Sequence, residues 1–429
     1  MDMAGKEPTA AAYTTRELTD DELDALSARL PEGNFQQTSM MRRLASRHGA
    51  AVDVVGVVDA NDTPLAGAMI VVTPSRFGHE GSVWQGPLCD PHDRPLMAAL
   101  TDAIRLAAAR RGAYSVTCWP YDVYRRHRSD GTADGEPDET MMATYAALGW
   151  RHHGFDVGYG SLINRWSYVK DLHGIGDEKS LLDSYAKNTR RNVKIARNSA
   201  VEVERIGRDR LATFHAICEL SCEKQGFRNR SLAYFEDLYD TFGDSAEFLV
   251  ASIDMRAYLA SWERKRDGFL KDIDRLERSL DTTRYPDTVN RKLDTARSTY
   301  EASLRRVEQA RAYLAEDGER VPVAAALFVW HRRECVYLFS GSNEKYAKFY
   351  APTAIQHHAM MQCLERGMER YNFYGISGVF DDPDDPGRGV LEFKQGFDGY
   401  VEELPGAFTL PVDRVRCALA DTAHRLLHR

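Results

Sequence analysis

A lysine set among aromatic side chains, in Leu391-Glu392-Phe393-Lys394-Gln395-Gly396-Phe397, is one group in this sequence that could act on a reacting carbonyl. Its ammonium could stabilise developing negative charge; the plainer reading is a surface lysine lying over apolar neighbours. Just before it, Tyr374-Gly375-Ile376-Ser377-Gly378 reads as a strand entering a small-residue loop, where backbone amides can approach a ligand. Asp381, Asp382, Asp384 and Asp385 follow in a Pro/Gly-punctuated stretch that is more simply a solvated loop than a general base. The remaining constellation is basic: Lys187, Arg190, Arg191, Lys194 and Arg197 lie between Tyr185 and Val201 with no carboxylate among them. On a helix these five share one face, which could meet a phosphate backbone or be an ordinary solvated surface.

Two or three domain-sized cores must position these groups, since the chain has 429 residues, 43% of them hydrophobic. A net charge of −8 excludes a protein that coats nucleic acid indiscriminately, although it leaves room for one basic patch. Seven scattered cysteines suggest neither a disulfide framework nor a zinc knuckle, and Cys218 and Cys222 read as core residues on one helix face. No apolar run approaches the roughly 20 residues that span a bilayer. The start, Met1 to Pro8, lacks signal-peptide character, so a cytoplasmic location is expected.

Periodicity predicts a helix over 17–50, strands at 52–58 and 65–72, a helix over 95–111, a strand at 114–119, a helix over 141–148 and a strand at 159–168. A similar order follows: helix from Leu181, strand 201–205, helices 208–222 and 232–242, strand 247–253. From Leu259 to Leu280 and from Val289 to Val307 apolar residues recur at threes and fours around Arg284-Tyr285-Pro286-Asp287, which predicts an antiparallel coiled-coil arm. Strand 323–330, a helix from Pro352 to about Arg370 and strand 371–376 complete the pattern. The alternation predicts an α/β (α+β) fold with the first module ending near residue 165.

The ordered set Asn188-Thr189-Arg190-Arg191-Asn192-Val193-Lys194, Val201-Glu202-Val203, Tyr350-Ala351-Pro352, Gly375-Ile376-Ser377-Gly378 and Glu392-Phe393-Lys394-Gln395-Gly396-Phe397 resembles the FemABX family of peptidyltransferases over nearly the whole chain. The resemblance implies two tandem modules of the GNAT-like (acyl-CoA N-acyltransferase-like) fold. The first would span 1–165, completed by 405–429. The second would span 166–256 and 319–404, with the arm at 257–318 inserted. It also implies an aminoacyltransferase that uses aminoacyl-tRNA as co-substrate, with no cofactor, metal or DNA. The acceptor would be the side-chain amine of the stem-peptide diamino residue in a peptidoglycan precursor. An arm of this kind resembles the members that act on lipid-linked precursor (lipid II), which would bring the protein to the inner face of the membrane.

Site residues carry over from the same resemblance. Lys394 matches the lysine at the reacting carbonyl and the Phe393 carbonyl lies beside the acceptor amine. Arg230 and Tyr234, in Gly226-Phe227-Arg228-Asn229-Arg230-Ser231-Leu232-Ala233-Tyr234-Phe235, match contacts to the precursor's phosphate and sugar. Tyr114 and Tyr337 match aromatic or hydroxyl contacts, and Gly375 and Ser377 complete the expected substrate site. Phe339 stands where short members have tyrosine, and Arg42 or Arg43 where a lysine binds phosphate, which argues against a soluble nucleotide-linked acceptor. Lys187, Arg190, Arg191, Lys194 and Arg197 would hold the tRNA. Two rival readings are an acyl-CoA N-acyltransferase, whose pyrophosphate cradle finds its one match in Arg128-Ser129-Asp130-Gly131-Thr132-Ala133, and a non-catalytic adaptor that docks partners through the arm.

Overall fold

The computed structural model describes residues 13–225 and 228–427; Met1 to Pro8 and the Gly226-Phe227 pair lie outside them. After β1 (Thr14–Glu17) come two helices, α1 (Asp20–Arg29) and α2 (Ser39–Arg47), in place of the single helix expected over 17–50. Thr19 and Glu22 form a capping box on α1, and Thr38 caps α2. Between them the chain turns too tightly for a helix, since a Cβ on Gly33 would fall 1.6 Å from the Ser27 carbonyl oxygen.

A meander of β2 (Ala51–Val58), β3 (Pro64–Ser75) and β4 (Gly78–Val83) leads to α3 (Arg94–Arg110) and β5 (Ala113–Cys118). Next come β6 (Arg125–Arg128), α4 (Glu139–Ala147), β7 (Arg151–His152) and β8 (Trp166–Asp171). β8 starts seven residues later than the pattern predicts. Gly158, at φ +88, turns the chain and spends its N–H on the Ser377 carbonyl, which leaves 159–165 outside the ladder. The helix expected from Leu181 breaks into α5 (Glu178–Asp183) and α6 (Lys187–Asn198), because Tyr185 between them turns into the core against Phe397.

The second half comprises β9 (Val201–Arg205), α7 (Leu211–Gln225), α8 (Leu232–Phe242), β10 (Ala246–Asp254), α9 (Met255–Leu280), α10 (Pro286–Asp317), β11 (Arg320–Trp330) and β12 (Cys335–Ser342). It closes with α11 (Ala351–Glu365), β13 (Arg370–Ile376), α12 (Arg388–Gln395), β14 (Tyr400–Glu403), β15 (Phe408–Pro411) and α13 (Arg414–Leu427). Gly367, at φ +67, ends α11 before the predicted Arg370.

Two sheets result, ordered β1-β2-β3-β4-β5-β15-β7 and β6-β14-β8-β13-β12-β11-β10-β9. β15, within 405–429, fills the gap between β5 and β7 in the first sheet, while β6, within 1–165, covers the edge of β14 in the second. One core takes Leu26, Leu44 and Met69 from the first half together with Phe235, Phe248 and Leu327 from the second. Parting the halves would return that apolar surface to water at about 25 cal/mol per Å².

Helices α9 and α10 pack on each other antiparallel, with Arg297 on Glu277 at 2.7 Å and Arg311 on Glu263 at 2.6 Å. Their 26 and 32 residues make rods of about 39 and 48 Å at 1.5 Å per residue. Tyr258 against Phe349 (5.0 Å) and Tyr313 against Tyr346 (5.3 Å) root the pair in the second core. The flanking strands β10 and β11 are antiparallel neighbours, so the helices interrupt a hairpin.

Candidate active site

Strands β12 and β13 run parallel but pair only at Cys335↔Tyr371 and Val336↔Asn372. Beyond those residues both are irregular: β12 bulges at Leu338, and Tyr374 on β13 takes φ +64. A parallel ladder needs regular carbonyl and amide spacing, so it stops there. At this break α12 delivers Lys394, which is 4% exposed; its Nζ donates to the carbonyls of Gly375 at 2.5 Å and Tyr374 at 3.3 Å. Burial with no compensating charge pushes this ammonium down to about 7. The group is therefore poised between donor and neutral amine, and an anionic oxygen arriving beside it would favour the charged form.

The backbone around Lys394 is tightly specified. A Cβ on Gly375 would lie 1.9 Å from Asn164 Nδ2, so the strand can pass this amide only as glycine. Ser377 is buried; its hydroxyl donates to Asp385 at 2.8 Å and its carbonyl accepts from Gly158, which ties loop 378–387 and loop 153–163 to the end of β13. Asp381, Asp382 and Asp384 are exposed, as a solvated loop requires. At the end of α12 the Phe397 amide donates to the Lys394 carbonyl, not to that of Phe393, so the Phe393 carbonyl is one of the unladdered oxygens at a helix C-terminus, an environment that attracts cations.

On the far side of β13, Tyr374 leads to the other expected residues. Its hydroxyl meets Gln36, and burial raises it to about 12. Tyr234 shares the core around it and packs edge-on against Phe339 at 6.2 Å, while the Arg230 guanidinium lies over the Tyr234 ring at 5.2 Å. Arg230, Tyr234 and Phe339 thus join Tyr374 in one aromatic cluster, and the Tyr374 carbonyl links that cluster to Lys394. Arg42 and Arg43, on α2, both reach Asp20 (2.8 and 3.5 Å), and α2 packs on α8 through Arg47–Asp237. They border this cluster on the helix that packs against α8, with their charges already engaged.

Two expected contacts do not join it. Tyr114 is buried beneath α13, next to Cys417 and Phe77, with its hydroxyl on Ser75 at 3.2 Å; it is a core residue of the first sheet. Tyr337 stacks on Phe328 at 5.5 Å, on the face of the second sheet opposite Phe339. Residues two apart on a strand share a face, but the bulge at Leu338 reverses the alternation between them.

Helix α6 buries Thr189, Val193 and Ala196 and exposes all five cations on the opposite face, an arc of about 120° at 100° per residue. Arg190 pairs with Asp183 and Arg197 with Glu178, whereas Lys187, Arg191 and Lys194 have no ion-pair partner among the described residues. The start of α6 abuts the end of α12: Ala186 N–H donates to the Gly396 carbonyl at 3.0 Å, and a Cβ on Gly396 would meet Thr189 Oγ1 at 2.3 Å. The basic face therefore begins one contact away from the helix that carries Lys394.

Sequence reasoning named Tyr374 only as part of its strand and missed Gln36 and Asn164. Only the glycine at 375 hinted that something presses on that strand. A separate cavity of about 630 Å³ lies at the other end of β13, lined by Glu32, Tyr121, Arg126, Glu334, Arg370 and Glu402 among others, and includes none of the expected site residues. The stretch Arg128–Ala133 closes a turn, with Arg128 N–H on the Thr132 carbonyl, and opens no helix that could cradle a pyrophosphate.

A model of the FemAB family matches residues 18–425. The chain belongs to the FemAB family. This FemAB member is 25% identical to aminoacyltransferase FemB of Staphylococcus epidermidis over 399 residues, 93% of this chain and 94% of that protein. It is 24% identical to aminoacyltransferase FemA of Staphylococcus aureus over 406 residues, 92% of this chain and 95% of that one. The crystal structure of FemX shares the fold, with a TM-score of 0.76 at 20% identity over 95% of this chain and 99% of that one. The FemAB member described here is accordingly a transferase. No helix among the described residues is long and apolar enough to cross a membrane.

Proposed function

We propose that this protein transfers an amino acid from aminoacyl-tRNA to the side-chain amine of the stem-peptide diamino residue of a lipid-linked peptidoglycan precursor. The reading treats the two sheets with their helices as tandem GNAT-like modules and the α9–α10 pair as the coiled-coil arm. The supporting observation is the adjacency of Lys394 to the basic face of α6 through Gly396 and Thr189. An ester carried on RNA needs a phosphate-binding surface and a carbonyl-binding group within reach of each other.

Aminolysis of an aminoacyl ester is downhill; what it requires is a neutral amine held against the carbonyl and a donor for the oxyanion. In this reading the Phe393 carbonyl orients the acceptor amine and the Lys394 ammonium stabilises the tetrahedral oxygen. The C–N bond forms as the C–O bond to the ribose breaks, and the ribose oxygen leaves with a proton from the attacking nitrogen. Arg230, Tyr234 and Phe339 line the acceptor side, where a guanidinium over an aromatic ring suits a phosphate beside a sugar. Incubating the protein with a mixed pool of charged tRNAs and lipid-linked precursor tests the proposal: the product's mass increment reports donor and acceptor together, and an unchanged precursor mass would overturn it.

A further inference from the structure

The carbonyls at the end of α12 can be followed one by one. Glu392 takes the Gly396 amide, Lys394 the Phe397 amide, Gln395 the Asp398 amide and Gly396 the Ala186 amide. Those of Phe397 and Asp398 both take Nζ of Lys170, at 2.8 and 2.9 Å. Between Glu392 and Asp398, Phe393 alone keeps a carbonyl with no donor among the described residues. In a regular helix the Phe397 amide would occupy it. Successive helical carbonyls point along the axis about 100° apart, so two of them meet one nitrogen only where the chain leaves the helix. Asp398, at φ +58, marks that departure. Lys170 lies on β8, 2% exposed, over the Tyr185 ring at 5.6 Å. Burial pushes its ammonium down to about 8, although Asp398 and Asp171 pull the other way. A lysine is costly to bury, and the hydrogen bonds of this one go to main-chain oxygens.

We infer that Lys170 is a positioning residue for the transfer reaction: by drawing the carbonyls of Phe397 and Asp398 towards β8, it tightens the end of α12 and leaves the Phe393 carbonyl free for the acceptor amine. The inference rests on the proposed reaction for its purpose, though not for its geometry. Lys170 itself touches no substrate and acts through the peptide planes after Phe397 and Asp398. Were those planes to swing back to helical geometry, the Phe397 amide would turn from the Lys394 carbonyl to that of Phe393 and claim the oxygen that the acceptor needs. The turn has a wall behind it, since a Cβ on Gly399 would fall 2.3 Å from the Val169 carbonyl oxygen on β8.

Lys170→Met keeps an unbranched side chain and removes the donor. One readout uses the full chain without substrates. Phe393-Lys394 is the one Phe-Lys pair in the sequence, so labelling with carbonyl-13C phenylalanine and 15N lysine isolates the Phe393 carbonyl as a single resonance. In the variant that resonance should move downfield, as a carbonyl that gains a hydrogen bond does. The second readout is kinetic: kcat for transfer should fall at least about tenfold while the KM values for both substrates stay within about threefold, because this carbonyl orients the amine and holds neither phosphate. Lys170→Gln keeps a shorter N–H donor and serves if the methionine variant does not fold; it should show a smaller displacement of the resonance and a kcat about threefold below wild type. A resonance that stays in place, a wild-type kcat, or KM values that rise in step with the fall in kcat, in whichever variant folds, would each overturn the inference. Absence of transfer by wild type would instead remove the reaction it serves, and the resonance alone would then decide the clamp.

Discussion

Lys394→Met interrogates the site at a single nitrogen. The substitution keeps an unbranched side chain of similar volume and removes Nζ with its bonds to the carbonyls of Gly375 and Tyr374. Loss of one oxyanion donor typically costs about 2.7–4 kcal/mol, or about 100- to 1,000-fold in turnover. Stability should respond differently. Folding carries this ammonium from an ordinary pKa of about 10.4 to about 7. Holding it buried at pH 7 therefore costs on the order of 4 kcal/mol, against which its two hydrogen bonds return about 1 kcal/mol each. The variant should consequently melt no lower than wild type at pH 7.

Between pH 7 and 10 the unfolded chain still holds the lysine proton that the folded chain has released, so wild-type stability rises relative to the variant by up to about 1.4 kcal/mol per pH unit. Because oxyanion stabilisation needs the charged lysine, the wild-type advantage in kcat/KM should also shrink above pH 7. Transfer rates and thermal melts on both proteins from pH 6.5 to 9.5 supply both readouts. Near-normal transfer by the variant, or a stability gap that ignores pH, would refute the assignment.

Other expectations follow from the same geometry. Gly396→Ala should drive α12 off α6 and lower transfer at least tenfold, because its Cβ meets Thr189 Oγ1 at 2.3 Å; adding Thr189→Ala removes that oxygen and should restore most of the rate in a double-mutant cycle. Reversing the charge of Arg191 and Lys194, which have no ion-pair partner among the described residues, should raise the KM for aminoacyl-tRNA about tenfold or more and flatten its salt dependence by roughly one phosphate contact per residue. Titrating KM against salt checks this. Tyr114→Phe should cost about 1 kcal/mol of stability through the lost Ser75 contact and leave kcat/KM unchanged, measurable by denaturant melts beside steady-state kinetics.

Where the pattern reading failed, the causes are local and physical. The break in 17–50 depends on how closely Gly33 approaches Ser27, which no propensity encodes. Tyr114 and Tyr337 have the residue types of ligand contacts, but burial under α13 places the first in the core and a one-residue bulge turns the second to the sheet face opposite Phe339. By contrast the five cations of α6 were legible as one face, because helical periodicity alone decides which side chains neighbour each other.

Local order in the chain determined the alternation of helices and strands, the helical pair inserted between β10 and β11, and the chemistry available at Lys394, since each depends on residues within one or two turns of one another. The family resemblance was likewise readable, as ordered motifs survive without coordinates. Only the packed structure decided that Lys394 lies buried at the point where β12 and β13 cease to pair, within reach of carbonyls some twenty residues earlier. It also decided that α6 abuts α12 and that Lys170 meets the carbonyls of Phe397 and Asp398. These juxtapositions arise from close approaches between distant segments, set by shape and burial, and one-dimensional spacing carries no measure of either.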